Sequence, residues 1–217
     1  MIRSFLAASA AASILLTACG QEAAPTEEVE AEVPAAEETV ETVAETVTEP
    51  EAPSIGPDIG SAAPAITATL TDGTATDLAG ISGAEGAVLV FSRSLDWCPF
   101  CKTQANDLES IAADLATAGY PLSLITYDST DVLSAYADAE GLSYTLLSDA
   151  DSAVIDGFNL RNAEVPADSR FDGIPHPAVV FVGTDGTVEA VLREEGYRTR
   201  PSNDAILAQA ASLTTAE

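Results

Sequence analysis

The sequence predicts an α/β domain: a mixed central sheet flanked by helices on both faces and entered through a short β-hairpin. Three observations point there. Residues 87–92, Ala-Val-Leu-Val-Phe-Ser, are a compact apolar run of the kind buried on both faces of a sheet. Strand-like runs at 122–127 and 144–147 alternate with helical patterns at 101–118 and 131–140, as parallel strands with crossover helices require. Two further runs, 178–182 and 187–192, are joined by Thr184-Asp185-Gly186, a hairpin turn that makes part of the sheet antiparallel.

Each element has its own local cause. Residues 66–70 alternate like a short strand and stop at Thr71-Asp72-Gly73-Thr74, a turn that forms the N-terminal hairpin. Leu108, Ile111, Leu115 and Ala118 recur at helical spacing until Gly119, and the helix over 131–140 ends at Gly141; both glycines supply the left-handed turn that closes a helix. Residues 151–158 read as another helical stretch, 161–176 as a polar, proline-containing loop, and Pro201-Ser202 opens a last helix to about 212.

The 217 residues are 47% hydrophobic and 20% charged, which is globular composition, but 35 Asp and Glu oppose 8 Lys and Arg for a net charge of −27. Such a chain lacks the basic footprint that nucleic acid or an anionic membrane surface demands. With one histidine and three cysteines, no multi-ligand metal centre is expected. Residues 1–18 carry Arg3 and then an apolar stretch from Phe5 to Leu16, the layout of a secretory signal too short to span a membrane. Leu16-Thr17-Ala18-Cys19 resembles the bacterial lipobox, which implies cleavage before Cys19 and lipid on its sulfur. The resemblance places the chain on the periplasmic side of a bacterial membrane. The absence of Asp after Cys19 points to the outer one. Residues 19–55 are rich in Glu and hold no Lys or Arg, so a disordered acidic tether is expected, followed by one domain over 56–217.

The chemistry sits in Trp97-Cys98-Pro99-Phe100-Cys101, between the apolar strand and the helix. A cysteine at a helix N-terminus meets unpaired N–H groups and the positive end of the helix dipole, both of which favour thiolate. Pro99 suits the first turn, where its missing N–H had no partner. This stretch resembles the thioredoxin superfamily, with Trp97 as in thioredoxins and Pro99-Phe100 similar to the glutaredoxin dipeptide. Pro177-Ala178-Val179-Val180-Phe181-Val182 and Gly186 match the superfamily's cis-proline strand, with Pro175 as the competing proline. The whole domain is most similar to the redoxin branch that includes the alkyl hydroperoxide reductase/thiol-specific antioxidant family. That resemblance implies a thioredoxin-like fold, Cys98 as nucleophile, Cys101 as resolving thiol and no cofactor beyond the Cys98–Cys101 disulfide. It also implies a substrate surface of Trp97, Pro99, Phe100, His176 and Pro177 beside the loop 161–176. Protein or small-molecule disulfides or hydroperoxides would be the substrates, with a thiol as electron donor.

The match departs from the family in places. Peroxiredoxins shape their peroxide pocket with a proline and a Thr or Ser where this chain has Phe91 and Leu95, and with an arginine near the place of Pro177. Arg93 or Lys102 would have to substitute. Ser92 stands where many thioredoxins hold a buried acid and Gln104 where some relatives have glutamate, which leaves Asp96 or a water to move the proton of Cys101. These departures favour thiol-disulfide exchange, with a peroxiredoxin-like thiol peroxidase as the alternative and a redox-inert tethered binding module as the non-enzymatic one. Half a zinc site or a static disulfide are the bland readings of the two cysteines.

Overall fold

The computed structural model describes residues 54–215, all within one compact unit; the expected signal peptide 1–18, Cys19 and the tether through residue 53 lie outside the described residues. The elements run β1 (Ala68–Leu70), β2 (Ala75–Thr76), α1 (Leu78–Ile81), β3 (Gly86–Phe91), α2 (Pro99–Thr117) and β4 (Leu122–Thr126). They continue α3 (Thr130–Glu140), β5 (Thr145–Ser148), α4 (Ala153–Gly157), β6 (Ala178–Gly183), β7 (Val188–Leu192) and α5 (Asn203–Thr214). The strands form one seven-stranded sheet in the order β2-β1-β5-β4-β3-β6-β7. β3, β4 and β5 are mutually parallel, whereas β6 and β7 return antiparallel. The N-terminal hairpin extends the same sheet, pairing Thr69 with Ser148 and Leu70 with Leu147.

Strand alternation sorts the core into two layers. Val88 and Val90 of β3 and Val179 and Phe181 of β6 pack with Leu108 and Leu115 of α2, Leu133 of α3 and Ile206 of α5. On the opposite face Leu89, Phe91, Val180 and Val182 meet Ile81 of α1 and Val154 and Ile155 of α4. Every residue of β3 and β6 is buried, as their unbroken apolar runs require. A side chain at Gly86 would run into the Val182 carbonyl, so β3 can enter the sheet only through glycine.

Helix caps adjust the boundaries read from the sequence. α2 begins two residues earlier than its apolar spacing suggests, because Pro99 occupies its first turn and Cys98 its N-cap. Ser129 and Ser202 cap α3 and α5 by accepting from Val132 N and Ala205 N. α4 is shorter than the 151–158 stretch; buried Asp149 takes the N–H groups of Val154 and Ile155 at 3.1 and 2.8 Å. α1, four residues capped by Asp77, is absent from the sequence reading because one turn carries no periodicity.

The register locates the site. Phe91 of β3 pairs with Ala178 of β6, so Pro177 lies across from Ser92 where the chain leaves β3 for α2. The open end of the sheet thereby brings the proline, the connecting loop and the start of α2 together.

Candidate active site

The loop from Ser92 to Cys98 is held by a buried carboxylate. Asp128, 8% exposed, accepts from Ser94 Oγ at 2.7 Å, Leu95 N at 2.6 Å and Thr126 Oγ1 at 3.0 Å. Ser94 Oγ in turn accepts from the N–H of Asp96 at 3.0 Å, and Ser148 Oγ donates to the Asp128 carbonyl at 2.6 Å. Burial pushes the Asp128 carboxyl above its ordinary value, against the pull of these hydrogen bonds.

That loop delivers Cys98 to the N-cap of α2, where its sulfur accepts from Cys101 N at 3.3 Å. Cys98 and Cys101 are joined by a disulfide with a Cα–Cα separation of 5.2 Å, and they are 1% and 0% exposed. Opening the bond therefore creates thiolate in a buried place, at the positive end of a 19-residue helix.

Aromatic rings surround the pair. Trp97 Nε1 donates to Tyr127 Oη at 2.9 Å, Tyr127 Oη donates to the Arg170 carbonyl at 2.9 Å, and the Trp97 ring meets Phe171 edge-on at 4.7 Å. The expected substrate loop 161–176 thus meets Trp97 directly through Phe171 and, by way of Tyr127, through the Arg170 carbonyl. Phe100 projects outward, 40% exposed, against Tyr197 at 5.9 Å. The Arg93 guanidinium lies over both Trp97, at 5.3 Å, and Tyr197, at 4.5 Å.

His176 and Pro177 line a cavity of about 390 Å³ with Pro175, Arg193 and Tyr197, and Tyr197 connects that cavity to Phe100. Pro175 is bridge-paired with Arg161, and His176 N donates to the Leu160 carbonyl at 2.6 Å. Desolvation lowers the His176 pKa, helped by Arg193 and Arg93 and opposed by Glu164, so the ring is neutral at pH 7. A second cavity of about 710 Å³ lies between α2 and the start of α5, bordered by Phe100, Gln104, Arg198, Arg200 and Asn203. Cys19 lies outside the described residues. Among the described residues no cluster of His, Cys, Asp or Glu could hold a metal ion.

Two sequence expectations change, and one part of the site is new. Asp96 is exposed, and the side chain within reach of the Cys101 sulfur is Arg200, with Nη2 at 3.8 Å. Arg93 and Lys102, expected as the cation at the Cys98 thiolate, instead lie over aromatic rings, Arg93 over Trp97 and Tyr197 with its Nε unpaired among the described residues, and Lys102 Nζ 5.8 Å over Tyr136. The segment 193–200 after β7, which supplies Tyr197 and Arg200, was not foreseen as part of the site. Its only sequence signal is local: Arg193, Arg198 and Arg200 flank Tyr197 in a chain with 8 Lys and Arg in all. The departures at Phe91 and Leu95 stand: Phe91 is in the far core layer against Phe158 at 5.0 Å, and Leu95 is 1% exposed and packed among core residues.

Comparison with known proteins places the chain in a family and its fold. Residues 59–191 match the AhpC/TSA family. Over 148 residues the chain is 28% identical to peroxiredoxin Bcp of Escherichia coli strain K12, which covers 68% of this chain and 92% of that protein. The crystal structure of peroxidoxin BcpB from Mycobacterium tuberculosis superposes with a TM-score of 0.61 at 19% identity, covering 76% of this chain and 99% of that one. Peroxiredoxin Q of Xanthomonas campestris superposes with a TM-score of 0.57 at 22% identity, covering 70% and 90%. The fold is the thioredoxin-like one that the two cysteines and Pro177 led us to expect.

Proposed function

Because the chain belongs to the AhpC/TSA family and is an oxidoreductase of its peroxiredoxin-like branch, we propose that it turns over by opening and closing the Cys98–Cys101 disulfide in exchange with thiols and disulfides. The observation that carries this reading is the position of the pair: Cys98 caps α2 and is already bonded to Cys101 one turn on. The cycle needs no unwinding of the helix. In the reduced enzyme the Cys98 thiolate attacks one sulfur of a partner disulfide, and the other partner sulfur leaves as thiolate. Cys101 then attacks Cys98, closing the bond and releasing the second partner thiol; two electrons have passed to the partner. A donor thiol reverses the sequence. Trp97, Phe100 and the cavity at His176 and Pro177 form the surface on which a partner would lie.

Hydroperoxide reduction is the second reading, supported by the family and by the peroxiredoxin name of the E. coli relative. There Cys98 would take the terminal peroxide oxygen to give sulfenic acid and release alcohol, and Cys101 would close the disulfide with loss of water. Peroxide is a weakly bound oxidant that needs directed hydrogen bonds to its oxygens, and Phe91 and Leu95 offer no side-chain donor. The two readings separate in one stopped-flow experiment on reduced protein, using the fluorescence of Trp97, the one tryptophan in the chain. Glutathione disulfide is expected to oxidise the pair, with hydrogen peroxide acting no faster than on an ordinary low-pKa thiol. Peroxide oxidation thousands of times faster than that would overturn the ranking.

We propose further that Cys19 carries lipid and that the tether 19–55 holds the domain off the periplasmic face of the membrane, in support of which stand the lipobox-like residues and the acidic composition. Cells fed labelled palmitate should label the wild-type chain, and Cys19→Ala should lose the label and leave the membrane fraction. Label retained in Cys19→Ala would refute the anchor.

A further inference from the structure

A half-buried cation with no anionic partner is unfavourable in any fold, and it is unexpected in a chain with 35 Asp and Glu. Arg161 shows the ordinary solution, pairing with Asp156 and Asp172. Arg200 differs, since among the described residues no carboxylate lies within ion-pair distance of it. Its Nε donates to Gln104 Oε1 at 3.0 Å, its Nη1 to the carbonyls of Thr199, at 3.1 Å, and Tyr197, and its Nη2 reaches Cys101 Sγ at 3.8 Å. All of these acceptors are neutral. Desolvation first, and Arg93 second, bring the Arg200 pKa down to about 10, so it is a full cation at neutral pH.

We propose that Arg200 is a catalytic residue whose missing anion is the thiolate of Cys101, formed each time the Cys98–Cys101 disulfide opens. When a donor thiolate attacks Cys98, the electron pair of the S–S bond passes to Cys101. That sulfur is 0% exposed, water does not solvate it, and the helix N-terminus serves Cys98 first. Arg200 supplies the compensating charge at hydrogen-bond distance, with buried Gln104 of α2 fixing the guanidinium. In the return step the same contact keeps Cys101 deprotonated, so it attacks Cys98 without waiting for a base. This also fills the place left by exposed Asp96: the proton is not relayed but held off the sulfur. The other charged groups that face Arg200 are Arg93 of the preceding loop, and Arg198 and Asp107 across the larger cavity. Asp107 is the one carboxylate lining that cavity, and it makes no ion pair with Arg200 among the described residues.

The proposal rests on turnover of the Cys98–Cys101 pair, and its test does not depend on which oxidant the enzyme uses. In full-length Cys98→Ser protein, which leaves Cys101 as the one thiol of the domain, thiolate absorbance near 240 nm is followed against pH. Adding Arg200→Gln is expected to raise the midpoint by at least about one unit, a tenfold change in the ionisation constant, whereas Arg200→Lys should recover most of it. With both cysteines present, Arg200→Gln should shift the equilibrium with glutathione about tenfold toward the disulfide, or about 30 mV more negative. Gln104→Ala, which frees the guanidinium without removing it, should give a smaller shift of the same sign. A midpoint unchanged by Arg200→Gln would overturn the role. A fast reaction with peroxide would overturn only the ranking of oxidants and leave the midpoint shift in place.

Discussion

Cys98→Ser is expected to abolish turnover with disulfide and hydroperoxide oxidants alike, with a loss on the order of 10³-fold or more. The reason is chemical and local. The nucleophile is a thiolate, and its anion is favoured by the capping position on α2; a serine hydroxyl in the same place stays protonated at any pH the fold survives. Cys101→Ser should behave differently. Cys98 still attacks, but nothing closes the disulfide, so the enzyme stalls as a mixed disulfide with its partner, visible as an added mass that a reductant removes. Steady-state assays against glutathione disulfide and cumene hydroperoxide check the first variant, and intact-mass spectrometry checks the second. Unchanged function of Cys98→Ser in cells, with no turnover of either oxidant, would leave a redox-inert binding module as the surviving reading. The same variants also separate a working pair from a static structural disulfide, which would change stability and no rate.

What the sequence made legible was whatever depends on near neighbours. The buried strand β3, the cysteine pair beside it and Pro99 in the first turn are consecutive, so local rules suffice to place them. Pro177 was legible because the strand that follows it is a single apolar run. The rest of the site comes from distant parts of the chain. Arg200 lies 99 residues from Cys101, and Asp128 lies 34 from Ser94; neither position belongs to a hydrophobic period, and each sits among other polar residues. Asp128 follows Thr126-Tyr127 at the end of β4, where an acid is commonplace in a turn. Only the parallel pairing of β3 with β4 puts it under the Ser92–Cys98 loop. Tyr197 and Arg200 were missed for a related reason, since a polar segment between a strand and a helix reads as solvent-exposed connection. The Arg200 placement is the more informative, because the sequence had offered Arg93 and Lys102, both close to the cysteines along the chain, as the cation of the site.

Asp128→Ala is the variant expected to lower stability most without touching a cysteine. Removing the carboxylate strands the Leu95 N–H and leaves the Ser94 and Thr126 hydroxyls to find other acceptors. An unsatisfied buried group costs roughly 1–3 kcal/mol, and the two hydroxyls can rotate, so a loss of about 2–4 kcal/mol is expected. In a domain of this size that lowers the melting temperature by roughly 5–15 °C. The pH dependence has a definite sign. Burial raises the carboxyl pKa above its ordinary value, so the folded state holds the proton more tightly than the unfolded one. Ionisation of this group therefore works against the fold: its stabilising contribution is complete below the unfolded pKa and is lost as pH rises through the folded one. Asp128→Asn, which keeps one acceptor oxygen and never ionises, should fall between wild type and alanine at neutral pH and should flatten the curve across that acidic window. The effect reaches the chemistry through the loop. Without its brace Leu95 and Ser94 loosen, Cys98 loses its fixed place at the cap, and Trp97 emission should broaden and shift to the red in the oxidised protein. Thermal unfolding by circular dichroism at several pH values measures the first effect. A melting temperature within about 2 °C of wild type in Asp128→Ala would mean that the loop is held by the disulfide and the surrounding rings and not by this carboxylate.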